Sequence, residues 1–174
     1  MIPTASNAYT QASMYEHLLV ALDGSPAAEQ VLPHVRALAR AFGSTVTLLR
    51  ATVAPEAVIT QTTAGGPGLA DLGPAVDPMP IVEADQSAAS DYLAGVAAKL
   101  RQEGLTVTTE QPQGAAEEMI VERARELGVG LILMTTHGRT GLGRMVFGSV
   151  ADGVLRHAGC PVLLVRISPE PGAP

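Results

Sequence analysis

A glycine-rich stretch between residues 135 and 150 has the residue types and spacing of an anion-binding loop. It follows a short apolar run, Leu131–Met134, which predicts a buried strand, and it leads into an amphipathic segment that predicts a helix. A strand that passes through such a turn into a helix directs backbone N–H groups at an anion. Glycines that permit close approach and arginines that supply charge lie within it: Gly138, Gly141, Gly143, Arg139 and Arg144.

The same stretch predicts where the last helix begins. Gly148 precedes Ser149, a residue type that commonly caps a helix N-terminus. His137 invites a catalytic interpretation, but a lone histidine in a tight loop is more often a hydrogen-bonded structural residue. The alternative for the whole stretch is a connecting loop that binds no ligand, because a glycine-rich loop alone is a weak signal.

The spacing resembles the nucleotide-binding signature of the universal stress protein family. That signature is a glycine, two residues, a glycine, nine residues, a glycine, and then serine or threonine. Gly138, Gly148 and Ser149 match it, and the surrounding His-Gly-Arg-Thr-Gly-Leu is typical of the ATP-binding branch. Thr135 stands in place of the first glycine and restricts the backbone there. Gly130 is a second departure, since relatives commonly carry aspartate at that position; we expect it to affect local structure more than ligand choice.

The resemblance extends from His17 to Arg166 and implies a fold, a ligand and a set of contacts. The fold is a Rossmann-like α/β domain with an open five-stranded parallel sheet of order 3-2-1-4-5 and helices on both faces. The ligand is an adenine nucleotide, ATP, AMP or another, with Mg²⁺ as a possible companion. The implied adenine slot is formed by Ala21, Leu22, Ala51 and Met134, and the implied ribose and phosphate contacts by Gly138, Arg139, Gly148, Ser149 and Val150.

The order 3-2-1-4-5 has its switch point between strands one and four, and ligands of open α/β sheets bind in the crevice there. Asp23 and Thr135 would face that crevice. In related proteins the aspartate at the end of strand one contacts the nucleotide near its ribose and base. The alternative is a turn aspartate that hydrogen-bonds its own backbone.

Strand and helix patterns alternate five times along the chain, which independently predicts a parallel sheet covered by helices. Helices are predicted to begin at Ser25-Pro26, to end near Glu103, to span Gly114–Leu127, and to follow Ser149. The predicted domain spans 15–168, with tails over 1–14 and 169–174 and a long, flexible Pro- and Gly-rich loop over 52–80. The predicted strands are His17–Leu22, Thr45–Leu49, Leu105–Glu110, Val129–Met134 and Pro161–Val165.

Composition narrows the classes of function. The 174 residues suit one domain, and a net charge of −6 argues against nucleic acid or an acidic membrane surface as a partner. The sequence shows no secretory signal and no apolar run of membrane-spanning length. Its single cysteine, Cys160, excludes an internal disulfide and suits the cytoplasm. The four histidines share no metal-ligand spacing, and no catalytic set is apparent, so binding is expected rather than turnover.

Three functions remain open at this stage. The leading hypothesis is a cytoplasmic protein of stress response or signalling that adenine-nucleotide binding switches between states. The second is an interaction protein of the same fold without a nucleotide, and the third, supported by fold analogy alone, is a weak ATP hydrolase. A homodimer is predicted through the apolar edge strand Pro161–Val165. The alternative is a monomer whose tail after Ser168 covers that edge.

Overall fold

The computed structural model describes residues 14–63, 77–136 and 148–167, with only the helical backbone described for 60–63. Its strands form one five-stranded sheet of order β3-β2-β1-β4-β5, in which all neighbours are parallel. The predicted order and the Rossmann-like α/β class are therefore confirmed. The strands are β1 His17–Ala21, β2 Thr45–Leu49, β3 Thr106–Glu110, β4 Leu131–Thr136 and β5 Val162–Arg166.

Helices cover both faces of the sheet. Helices α1 and α3 pack with Leu18 and Val20 of β1 on one face, whereas α4 and α5 pack with Leu19 and Ala21 on the other. Because β1 is buried on both sides, it is an uninterrupted apolar run rather than an alternating one. In the described residues the helices are α1 Leu32–Phe42, α2 Pro55–Thr63, α3 Met79–Gln102, α4 Ala116–Glu126 and α5 Ser149–His157. No helix in this part of the chain is both long and apolar enough to cross a membrane.

Two predicted helix starts need correction. The Ser25 hydroxyl accepts a hydrogen bond from the Ala28 N–H at 3.1 Å, as a cap does, but the turn that follows is the 3-10 helix Ala28–Val31. The α-helix begins only at Leu32, with Pro33 in its first turn, where proline is tolerated. At α5 the capping position is Gly148, and Ser149 is already the first helical residue.

The predicted loop over 52–80 is wrong in part, because α2 lies within it and α3 begins at Met79. Val58 of α2 is buried, and its N–H and that of Ala57 donate to the Ala54 carbonyl. Pro55 is compatible with this helix because a proline at the first position loses no intrahelical hydrogen bond. Residues 64–76 of the predicted loop, all of the predicted tail over 1–14 except Met14, and the predicted tail over 169–174 lie outside the described residues.

Candidate functional site

A cavity of about 500 Å³ lies at the carboxyl ends of β1, β2 and β4, where the strand order switches. Every predicted site residue that the structure describes lines it, although these residues come from well-separated parts of the chain. Gly138 and Arg139 lie outside the described residues, as does His137. The nine that line the cavity are Ala21, Leu22, Asp23, Ala51, Met134, Thr135, Gly148, Ser149 and Val150.

One wall of this cavity is apolar and belongs to the hydrophobic core. Leu49, Ile120 and Met134 line it, and all three are buried in the hydrophobic cluster on the α4 and α5 face. Ala21 and Ala151 belong to the same cluster and also reach the cavity. An apolar wall with a few fixed polar groups is the usual construction of a site for a flat organic ring.

The segment that follows β2 lines the cavity and remains hydrogen-bonded to the end of β3 and the residues after it. The Arg50 N–H donates to the Glu110 carbonyl at 3.1 Å, and the Thr52 N–H donates to the Pro112 carbonyl at 2.9 Å. Successive residues of an extended strand direct their N–H and C=O groups to opposite sides. Ala51 therefore directs its peptide groups away from β3 and toward β1.

Beyond Ala21, however, β1 no longer runs beside this segment. The last hydrogen bond between the end of β1 and the end of β2 is donated by the Leu22 N–H to the Leu49 carbonyl at 2.9 Å. Ala51 comes next on the same side, and within the described residues its N–H and C=O have no hydrogen-bond partner. Ala51 therefore presents one backbone donor and one backbone acceptor, side by side, to a ligand in the cavity.

Asp23 lies two residues after the end of β1, at the edge of the cavity, and it makes the hydrogen bond of a turn residue. Its Oδ1 accepts a hydrogen bond from the Ser25 N–H at 2.8 Å. The side chain is exposed and lines the cavity. The structure therefore contains the turn contact of the alternative interpretation and also places Asp23 at the predicted crevice.

Two charged residues of the cavity were missed by the sequence analysis. Arg50 donates from Nη2 to Oδ1 of Asp85 at 3.0 Å, and both residues line the cavity. Arg50 had a recognisable signal, because it directly follows a buried strand, as Asp23 does. Asp85 had none, since it lies on α3 and 35 residues away from its partner.

The polar surroundings of Asp23 extend to α3. Burial raises the pKa of the Tyr92 hydroxyl to about 12, and the negative charges of Glu29 and Asp23 act in the same direction. Tyr92 also packs against the hydrophobic cluster on the α1 and α3 face. Of the charged residues that line the cavity, Asp23 and Asp85 are acidic and Arg50 is basic.

A second cavity, of about 800 Å³, lies along α4 and is larger than the first. It contains none of the predicted site residues, and its lining includes Glu117, Glu118 and Glu122. Cys160 also lines it, and burial raises the pKa of its thiol, which disfavours the nucleophilic thiolate. In the described part of the chain no group of three or more His, Cys, Asp or Glu residues could hold a metal ion. The smaller cavity is therefore the better candidate site.

Comparison with known proteins identifies the family of this chain. The model of the Universal stress protein family matches residues 14–166. The chain belongs to the universal stress protein family. This universal stress protein is similar to YxiE of Bacillus subtilis, with 29% identity over 157 residues that cover 88% of this chain and 100% of that one. It is also similar to universal stress protein MJ0577 of Methanocaldococcus jannaschii, with 28% identity over 155 residues, 88% of this chain and 96% of that one.

Solved structures show the same fold. The structure of MJ0577 superposes with a TM-score of 0.71 at 26% identity, covering 89% of this chain and 98% of that one. A universal stress protein in complex with cAMP superposes with a TM-score of 0.54 at 20% identity, covering 88% and 98% of the two chains. At that identity the second likeness concerns the fold alone.

Thr135, the departure of this universal stress protein from the glycine signature, is a strand residue. Strand β4 continues to Thr136, two residues beyond the predicted end, and Thr135 pairs with Val165 of β5. A β-branched residue suits this extended backbone, so no glycine is needed for the local conformation. Thr135 is buried and still reaches the cavity.

Proposed function

We propose that this universal stress protein binds an adenine nucleotide, with ATP as the principal ligand, in the cavity at the switch point. We further propose that it works in the cytoplasm, in stress response or signalling, as a switch set by that nucleotide. The supporting observation is that nine residues selected from the sequence converge on one cavity. Asp23, Ala51 and Gly148 are far apart in the sequence, and all three would be within reach of one ligand in this cavity.

The peptide groups of Ala51 support adenine as the base. The Watson–Crick edge of adenine carries an amino donor beside a ring-nitrogen acceptor, which complements a backbone C=O and N–H. Guanine presents an oxygen acceptor and a ring N–H donor in the reverse order. The apolar wall that contains Leu49 and Met134 would cover the face of the ring.

The start of α5 supports phosphate at the other end of the ligand. Gly148, Ser149 and Val150 line the cavity at the N-terminus of this helix. The first N–H groups of a helix have no intrahelical acceptor, and its dipole favours negative charge there. We propose that Gly138 and Arg139 complete the phosphate contacts and that Mg²⁺ accompanies ATP through the phosphate oxygens.

The family comparison supports the choice of an adenine nucleotide over other anions. One protein of this fold has been solved in complex with cAMP, which is itself an adenine nucleotide. The signature shared by Gly138, Gly148 and Ser149 resembles that of the ATP-binding branch.

Titration calorimetry with ATP, AMP, cAMP and GTP, in the presence of Mg²⁺, tests the proposal directly. Mass spectrometry of the purified protein would identify any nucleotide that copurifies. Gly148→Val is the informative variant, because Gly148 has φ −57, a conformation open to any residue, so the substitution adds no backbone strain. We expect it to lose ATP binding while keeping the wild-type circular dichroism. A wild type that binds no adenine nucleotide would refute the proposal.

One observation favours the second candidate, an interaction protein without a nucleotide. The hydrogen bond between Asp23 and the Ser25 N–H accounts for an aspartate at this position without any ligand. Under that hypothesis the calorimetric titrations show no heat of binding, and Asp23 is needed only for the turn.

We also propose a homodimer formed through β5, which is an edge of the sheet. The carbonyl of Pro161 accepts from the Ile132 N–H at 3.0 Å, so this residue faces β4. By strand alternation the N–H groups of Val162 and Leu164 point away from β4, to the open side. The observed strand starts and ends one residue later than predicted and so includes the exposed Arg166, but it is apolar from Val162 to Val165, and an edge with such groups is suited to pairing with a second copy about a two-fold axis.

A further inference from the structure

One carboxylate holds the part of the cavity wall that follows β2. Asp85 accepts a hydrogen bond from Arg50 Nη2 on Oδ1, at 3.0 Å, and one from the Val53 N–H on Oδ2, at 2.8 Å. The side chains of Arg50 and Asp85 are only 19% and 23% exposed, so solvent screens their attraction less than at an open surface. Asp85 therefore anchors the chain on both sides of Ala51.

The anchored segment carries the peptide groups that point into the cavity. Thr52 is tied to the β3 side through hydrogen bonds with Pro112 and Gly114. Asp85 ties the same segment to α3. With both sides held, the N–H and C=O of Ala51 keep a fixed direction.

We infer that Asp85 is a positioning residue that sets the preference for adenine over guanine, an inference that rests on the proposed nucleotide function. It acts through Ala51, because two adjacent hydrogen bonds to a base edge discriminate only when donor and acceptor are held in the correct plane. Asp85 has a second effect through Arg50. While paired with Asp85, this guanidinium is kept from turning toward phosphates, which are common to all nucleotides.

Calorimetric dissociation constants for ATP and GTP test the inference when wild type is compared with Asp85→Ala and Asp85→Asn. For the wild type we expect ATP to bind about 10-fold more tightly than GTP or better, the scale of a well-placed pair of base contacts. In Asp85→Ala we expect the ratio to fall to within about twofold, because ATP loses its oriented contacts and GTP does not. Asp85→Asn, which keeps the size and one acceptor oxygen, is expected to give an intermediate ratio.

Asp91→Ala is the matched control. Asp91 is an exposed aspartate of the same helix, with no hydrogen bond or ion pair among the described residues, so the charge change is identical. We expect this variant to keep the wild-type ratio. Hydrogen exchange without nucleotide gives a second readout: the Val53 amide is expected to exchange faster in Asp85→Ala and at the wild-type rate in Asp91→Ala.

The outcomes separate this inference from the proposed function. If the wild type prefers ATP and both Asp85→Ala and Asp85→Asn keep the wild-type ratio of dissociation constants, the role of Asp85 is overturned while the proposed nucleotide binding stands. Equal weakening of ATP and GTP in these variants also overturns it, because that is the effect of a general loss of structure. If Asp85→Ala does not fold, the ratio in Asp85→Asn decides. A wild type that binds neither nucleotide overturns both.

Discussion

The carbonyl group of Met14 lies directly against Gly130. A Cβ on Gly130 would be 2.8 Å from the Met14 carbonyl carbon and would overlap the carbonyl oxygen. The Gly130 N–H also donates to the His17 carbonyl at 2.9 Å, which fixes its position just before β4. The glycine is thus required by close approach of the preceding chain. This accounts physically for a glycine at this position.

Gly130→Ala is therefore expected to lower the free energy of unfolding by about 1–3 kcal/mol, as overpacking of a filled site does. Urea denaturation measures the change. Gly159→Ala is the control, because a Cβ on Gly159 would meet nothing within 4 Å. Nucleotide affinity is expected to be unchanged in both variants, since neither glycine lines the candidate site. An unaltered stability in Gly130→Ala would contradict the contact with Met14.

Asp23→Ala is expected to weaken ATP binding by about 1–3 kcal/mol, the scale of a lost hydrogen bond to a charged group. Asp77→Ala is a close control, because Asp77 accepts a similar bond from the N–H two residues on, that of Met79, at 3.0 Å. Both substitutions remove a turn contact, but only Asp23 lines the candidate site. Calorimetry and thermal melting without nucleotide are compared. A lower melting temperature in Asp23→Ala, with unchanged ATP affinity, would support the turn interpretation.

Leu164→Pro is expected to convert a wild-type dimer to a monomer. Proline removes the N–H that points to the open side of β5, and an edge strand tolerates it there. Light scattering at micromolar concentration gives the mass, and circular dichroism checks the fold. Lysine at Leu163 or Val165 is a poorer test, because it would place a charge against the hydrophobic cluster on the α1 and α3 face, whereas proline at Leu164, which packs against the cluster on the other face, stays apolar. A monomeric wild type would rule out this interface.

Tyr92→Phe is expected to leave stability at pH 7 unchanged or raise it by up to about 1 kcal/mol. The Tyr92 hydroxyl is buried and makes no hydrogen bond of normal geometry among the described residues, with only a weak interaction with the Glu29 carboxylate, so its removal costs little. Above pH 10 the two proteins should diverge. The unfolded tyrosine ionises near its ordinary pKa of 10, whereas the folded one keeps its proton until about pH 12. Stability of the wild type is therefore lost through this window.

Melting temperatures between pH 8 and pH 12 would reveal that divergence. We expect the wild type to lose more stability than Tyr92→Phe between pH 10 and pH 12, the interval between the ordinary and folded pKa values of Tyr92. Parallel curves for the two proteins over that interval would show that the hydroxyl is not shielded in the fold.

The sheet could be predicted because its information is local. Runs such as Leu18–Val20 identify buried strands by themselves, and the glycine signature supplies the family and hence the strand order. Helix α2 was missed for the opposite reason. It has a weak amphipathic pattern and lies among prolines and glycines. Its buried residue, Val58, could not be identified from the sequence, because its burial depends on the packing of α3 beside α2.

The sequence predicted the site residues that follow a strand, but it did not predict the side-chain contacts between elements that are distant in the sequence. Asp23 and Ala51 each follow a buried strand, so their place at the crevice could be inferred. The pairing of Asp85 with Arg50 depends on how α3 crosses the end of β2, which no local pattern encodes. The last turn before α1 was misjudged because the Ser25 cap is compatible with a 3-10 turn as well as an α-helix.

The cavity draws its walls from residues 21 to 151, and this has a consequence during synthesis. During translation β1 and β2 are synthesised well before the wall from Gly148 to Ala151. A ligand that needs that wall can stabilise only a chain whose last helix has docked. Binding there would therefore report that translation has passed α5 and that this helix has packed against the sheet.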